Sequence, residues 1–180
     1  MPGITITEGL AEIKTIGKRI AKKEQTVWGC LYRHDVIRDP HAKSGGSAAV
    51  VERELQGIKD LEDRIVSIRR AIREANAATE ISVCGTTKSI EEWLTWRREV
   101  APGMQHRLAN MRARINAVRD KGQKEGFAVL QGGQAASKEL DVIVNLDEGD
   151  LAKQIEGLEE TLGTLDGQLS LKNATVALEL

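Results

Sequence analysis

The sequence predicts a mainly α protein: a long antiparallel helical hairpin, a third kinked helix, and a small C-terminal strand–helix–strand arm. Three observations predict it. Apolar residues repeat at alternating spacings of three and four in four separate segments. Leu151, Ile155, Leu158, Leu162, Leu165 and Leu169 form the most regular of these seams. Aromatic residues make up only 3% of the 180-residue chain, against 41% hydrophobic residues overall, so the core must be aliphatic. A narrow apolar stripe on an otherwise polar helix has to be covered by another helix.

The first segment runs from about Thr5 to Arg38. Ile6, Leu10, Ile13, Gly17, Ile20, Glu24, Val27 and Leu31 keep heptad spacing. Thr5 and Glu8 fit a capping box, which satisfies free amide donors at a helix start. Asp39-Pro40 is read as the stop, because a residue before proline avoids the α region. A glycine-rich turn over 41–47 leads to a second helix over about 48–76, with Ser47 as its cap. Its seam is Ile58, Leu61, Ile65, Ile68, Ile72 and Ala75. Two long helices joined by such a turn read as an αα-hairpin.

Residues 80–85 alternate and are β-branched, which predicts a short strand. Ser89 and Glu92 form a second capping box. The helix after them carries Ile90, Leu94, Ala101, Met104, Leu108, Met111, Ile115 and Val118 in one phase, interrupted at Arg97. Pro102-Gly103 inside that phase predicts a kink or a junction of two helices. Gly122, Gly126, Gly132 and Gly133 mark a linker. Residues 141–146 read as a strand, Asp147 or Asp150 as the next helix cap, and 176–180 as a half-buried final strand. The expected organisation is a helical body over 1–121, a linker over 122–140 and an arm over 141–180.

The formal net charge is −1, and it is unevenly spread. Residues 126–180 hold three lysines against ten acids, while 1–125 hold 23 basic and 17 acidic residues. Such a chain could pair head to tail with its own copies. With its flanking strands, the seam of Leu151, Ile155, Leu158, Leu162, Leu165 and Leu169, extended by Val176 and Leu178, is therefore the expected homo-oligomer interface.

No constellation of residues points to catalysis. His34, His41 and His106 lack the i, i+4 or Cys-x-x-Cys spacing of a metal site. Cys30 and Cys84 do not make a disulfide framework. The glycine pairs at 45–46 and 132–133 lack the strand, lysine and hydroxyl of a phosphate loop. The acidic run 147–150 lacks the ligand pattern of an EF-hand. No metal, cofactor or catalytic residue is expected. The start of the chain lacks the charged and apolar regions of a signal peptide. No stretch approaches the ~20 apolar residues of a membrane span. The expected location is thus a bacterial cytoplasm or a virion, without a membrane partner.

Trp93 and Trp96, with Arg97 and Arg98, form an aromatic–basic turn of the type that anchors partners. It is the expected docking site. The basic groups over 18–23, 64–73 and 107–124 keep nucleic-acid binding as an alternative. Neither a helix-turn-helix nor a zinc-finger or RRM pattern accompanies them.

The order Arg38-Asp39-Pro40, then Ile72 to Asn76 and Thr79, then Ser89 to Trp93 with Arg97-Arg98, resembles the septicolysin-like group of small helical-hairpin proteins. The resemblance covers residues 6–100. It departs where that group has an Arg-Asp pair and this chain has Arg97-Arg98-Glu99. It implies a helical-hairpin fold and carries no catalytic residues. The segment Trp93 to Arg98 is also similar to proteins encoded by tailed phages. Together these readings predict a non-enzymatic structural or assembly protein, specifically a capsid- or tail-associated accessory component of a tailed phage. The alternative is a cytosolic helical adaptor or oligomeric scaffold.

Overall fold

The computed structural model describes residues 3–131 and 143–180, without the side chains of 122–131. The elements are α1 (Ile6–Cys30), α2 (Gly46–Ala78), β1 (Glu80–Val83), β2 (Thr86–Ser89), α3 (Ile90–Thr95), a π turn (Trp96–Val100), α4 (Ala101–Gln131) and α5 (Glu148–Thr175). The fold is mainly helical, with one small two-stranded antiparallel sheet. The chain divides into two compact units: Met1–Glu80 with Leu169–Leu180, and Ile81–Gln168. These boundaries differ from the division expected at 121 and 140. They follow the packing: one unit is built on α1 and α2, and the other on α4 and most of α5.

In the first unit, α1 and α2 pack side by side. Both cap partners at the start of α1 are in place: Thr5 Oγ1 accepts from Glu8 N, and Thr5 N donates to Glu8 Oε2. The face that α1 buries is Ile6, Gly9, Ile13, Ile16 and Ile20, followed by Val27. This shifts the expected seam: Leu10 and Gly17 face outward, and Gly9 and Ile16 face inward. The reason is steric. A Cβ on Gly9 would lie 2.8 Å from Leu178 Cδ1 and 3.2 Å from Ile68 Cγ2. Only a glycine leaves room there for Leu178 to enter the core. The α2 seam follows the expected phase, with Ile58, Ile68 and Ile72 buried and Leu61, Ile65 and Ala75 partly buried.

Polar pairs flank this aliphatic core. Arg64 makes a two-pronged contact with Glu12, at 2.8 and 3.2 Å. Lys23 runs over Gly57 to reach Glu54 at 2.7 Å. Each carboxyl is held below its ordinary range by the bond from its cationic partner. Such half-exposed pairs are worth about 0–1 kcal/mol each and mainly fix the register of the hairpin.

The C-terminal segment closes the same core. Leu178 N donates to Ile4 O at 2.7 Å, and Ile6 N donates to Val176 O at 3.2 Å. Thr5 and Ala177 form a single antiparallel bridge. The expected final strand is therefore one bridge long, because its partner is the short stretch ahead of α1. Val176 and Leu178 are engaged within the chain.

In the second unit, Cys84 and Gly85 join β1 to β2. Both have positive φ, 47° and 80°, the pattern of a two-residue type I′ hairpin turn. Ser89 and Glu92 form the expected capping box at α3. A continuous helical path then runs through the π turn into α4, where Ala101 N donates to Trp96 O, five residues back. Proline offers no amide and clashes with the carbonyl four residues before it. The wider turn ahead of Pro102 accommodates both defects, so the expected kink is a π turn. α4 continues to Gln131, which makes the first ten residues of the expected linker helical. Residues 132–140 lie outside the described residues.

The expected strand at 141–146 falls partly outside the described residues, and 143–147 are irregular, with Ile143 exposed. Asp147 caps α5 by accepting from Asp150 N. The α5 seam is buried inside the chain. Leu151 and Leu158 pack with Leu108, and Trp96, Met104, Ile115, Ile155 and Leu162 close around them. Leu165 is 0% exposed. Leu169, in the first unit, is also buried. The assignment of Leu151, Ile155, Leu158, Leu162, Leu165 and Leu169 to a subunit interface is corrected accordingly: α4 of the same chain covers Leu151 to Leu162. Arg119–Glu148 and Arg97–Asp166 (2.7 Å) tie α4 and the π turn to α5.

Two outcomes follow. Gly9→Ala lowers stability by about 1–3 kcal/mol, and its cost shrinks in the Leu178→Ala background, as read by a double-mutant cycle in urea. Leu165→Ala costs about 2–5 kcal/mol. Because the seam is covered within one chain, the unfolding midpoints of wild type and variant stay independent of protein concentration, whereas a midpoint set by subunit association rises with it.

Candidate docking surface

The expected docking residues separate on folding. Trp93 is 3% exposed, and its indole N–H donates to Ile81 O at 3.3 Å. Trp96 stands edge-on to it at 5.4 Å, and the Lys88 ammonium lies 5.0 Å from the Trp93 ring centre. Trp96 also packs on the Leu108, Leu151 and Leu158 cluster. Trp93 is thus a core residue and Trp96 packs half-buried beside it, which corrects the reading of Trp93 as a partner anchor. A helix residue three places from its neighbour shares its face, and here that face is internal. Arg97 is paired with Asp166, and Arg98 with the adjacent Glu99.

The exposed apolar surface lies elsewhere, at the closed end of the α1–α2 hairpin. α1 ends at Cys30, eight residues before the expected stop at Arg38. Past Val27 the helical phase calls for apolar residues at 31, 34 or 35 and 38. The chain supplies Leu31 and then His34, Asp35 and Arg38. Tyr32, Val36 and Ile37 fall out of phase and have no helix face to bury. All of residues 31–38 are exposed. Tyr32 is 84% exposed, Val36 88% and Trp28 60%, with Leu31 and Ile37 each more than half exposed. This cluster was legible in the sequence only as a loss of phase.

The loop that carries these side chains is not loosely held. Ile37 N donates to His34 O at 3.0 Å, and Arg33 Nη1 donates to Ile37 O at 2.8 Å. Asp39 is the hub. Its carboxylate accepts from Ser47 N (2.8 Å), Ser47 Oγ (2.7 Å) and His41 N (2.8 Å). Ser47 was expected to cap α2. It instead donates to Asp39, and α2 starts from Gly45 with φ +89°. The Ser47 and His41 bonds, helped by Arg33 4.0 Å away, hold the Asp39 carboxyl down at about 2.

Glu8 and Glu92 are held below the ordinary carboxylate range by their cap hydroxyls and amides. Among the described residues there is no cluster of three or more His, Cys, Asp or Glu able to hold a metal ion. No described helix is long and apolar enough to cross a membrane. A groove of about 440 Å³ runs between α4 and α5, lined by Gln105, Ala109 and Arg112 on one side and Ile155, Leu158 and Glu159 on the other.

No protein-family model and no curated protein matches the chain. A crystal structure of a functionally unknown conserved protein from Corynebacterium diphtheriae is similar over 98% of this chain and 99% of that one. Its TM-score is 0.52 at 15% identity. A likeness at that identity speaks to the fold and leaves the activity open.

The Asp39 hub sets a pH dependence. Its folded pKa lies below the ordinary aspartate value, so its stabilisation is present above that value and is lost as pH falls towards about 2. Asp39 should titrate near that low value by NMR, and Asp39→Asn should flatten the acid limb of hairpin stability over the same window.

Proposed function

We propose that the protein is a non-enzymatic helical scaffold that presents the closed end of its α1–α2 hairpin to a binding partner. One observation carries this reading: five large apolar side chains stand exposed within ten residues, from the last turn of α1 into a loop fixed by Asp39. A tight cluster of exposed apolar residues marks an interaction surface, unlike apolar residues scattered singly. Tryptophan, tyrosine and arginine, all present here, are the types that dominate binding energy at interfaces.

Placement in a phage particle is a narrower form of this proposal. It rests on the similarity of the Trp93 to Arg98 segment to phage-encoded proteins. It no longer draws on a free C-terminal strand, since that segment pairs with residues 4–6. Mass spectrometry of purified virions tests it directly.

The docking reading is tested by a photo-crosslinking residue placed at Tyr32 or Val36 in the producing cell. The expected result is a discrete adduct at one or both positions and none at Glu160 on exposed α5. Absence of any adduct at both tip positions would refute it.

A further inference from the structure

We propose that the hairpin end is a peripheral anchor for an anionic lipid surface. The proposal rests on the docking reading above and names its partner. The expectation of no membrane partner came from the lack of a spanning segment, and an anchor of this kind spans nothing.

The side chains match the chemistry of the lipid–water boundary. Trp28 and Tyr32 are amphipathic rings of the kind concentrated at that level. Among the described residues, neither the indole N–H of Trp28 nor the phenol of Tyr32 has a protein partner. Leu31, Val36 and Ile37 add three aliphatic groups beside them.

Charge selects the kind of lipid. Residues 18–43 hold seven cationic side chains, Lys18, Arg19, Lys22, Lys23, Arg33, Arg38 and Lys43, against Glu24, Asp35 and Asp39. The Asp39 carboxylate is turned inward to Ser47 and His41. Asp35 accepts from the Val36 amide. With Lys23 paired to Glu54 and Arg33 4.0 Å from Asp39, the cations Lys18, Arg19, Lys22, Arg38 and Lys43 still outnumber Glu24 and Asp35, and anionic headgroups attract that excess.

The same charges weigh against a second copy of this chain as the occupant. Docking tip on tip would bring Arg33, Arg38 and Lys43 of two chains together. A protein partner would need a groove shaped to a protruding loop, whereas a bilayer needs none. Depth follows from the backbone. Most peptide groups of 31–38 have no main-chain partner in the structure. They still need water, so the loop belongs at headgroup level and not in the hydrocarbon.

Cosedimentation of the full chain with vesicles tests the proposal, using phosphatidylcholine alone and with about 30% phosphatidylglycerol. Binding to the anionic vesicles should exceed binding to the neutral ones by roughly tenfold or more and fall at high salt. Trp28→Ser with Val36→Ser, both on exposed positions, should abolish it with an unchanged helical signal and melting temperature. Arg33→Gln with Arg38→Gln should weaken it and remove the lipid selectivity. No binding to anionic vesicles, equal binding to both kinds, or binding that survives Trp28→Ser with Val36→Ser overturns the anchor. A protein-only adduct at Tyr32, with no vesicle binding, overturns the anchor and leaves the docking reading standing.

Discussion

The close approach of α1 to α2 and to the C-terminal segment at Gly9 is the constraint on which the first unit depends. The chain has one Phe and one Tyr, and it places Tyr32 in solvent. Its hairpin core must therefore be filled by Ile6, Ile16, Ile68 and Ile72, which are short and branched. Short side chains give close packing only if backbones come near. Gly9 permits that approach, and Leu178 fills the space that remains. The bridge at Thr5 and Ala177 and the capping box at Thr5 both sit beside this point.

The second unit solves the same problem with its scarce aromatics. Trp93 and Trp96 contribute the large buried area that the aliphatic residues lack. The indole of Trp93 satisfies its donor on Ile81. Pro102 forces the wider turn between Trp96 and Val100, and that turn sets where Arg97 meets Asp166. The aromatic–basic turn is thus structural in each of its visible contacts.

Much of this was legible in the residues. Capping boxes depend on two side chains and a spacing of three, so Thr5–Glu8 and Ser89–Glu92 were readable without tertiary context. The α2 and α5 seams were readable because each position is occupied by a residue of strong apolar character. The α1 seam was not, since a glycine at a packing position carries no hydrophobic signal and Leu10 beside it does. Coverage was illegible for a different reason: a heptad states that a helix needs a partner and does not name it. The exposed apolar cluster was hidden by its own signature, since Tyr32, Val36 and Ile37 obey no period. The mainly helical class survives from that reading. The final strand shortens to one bridge, the strand expected at 141–146 falls partly outside the described residues, and Trp93 is buried in the core.

Leu178 lies far along the sequence from its partners, and it completes a core whose other buried members lie between Ile6 and Ile72. Synthesis runs in the opposite order. A ribosome delivers α1 and α2 before α5 and the segment after it, so the contact with Leu178 forms only once those follow. Contacts of such long sequence separation form late and slowly. Until that contact forms, the space beside Gly9 lacks the side chain that fills it. Loss of the segment after α5 would leave α1 and α2 able to form and their shared core unfinished.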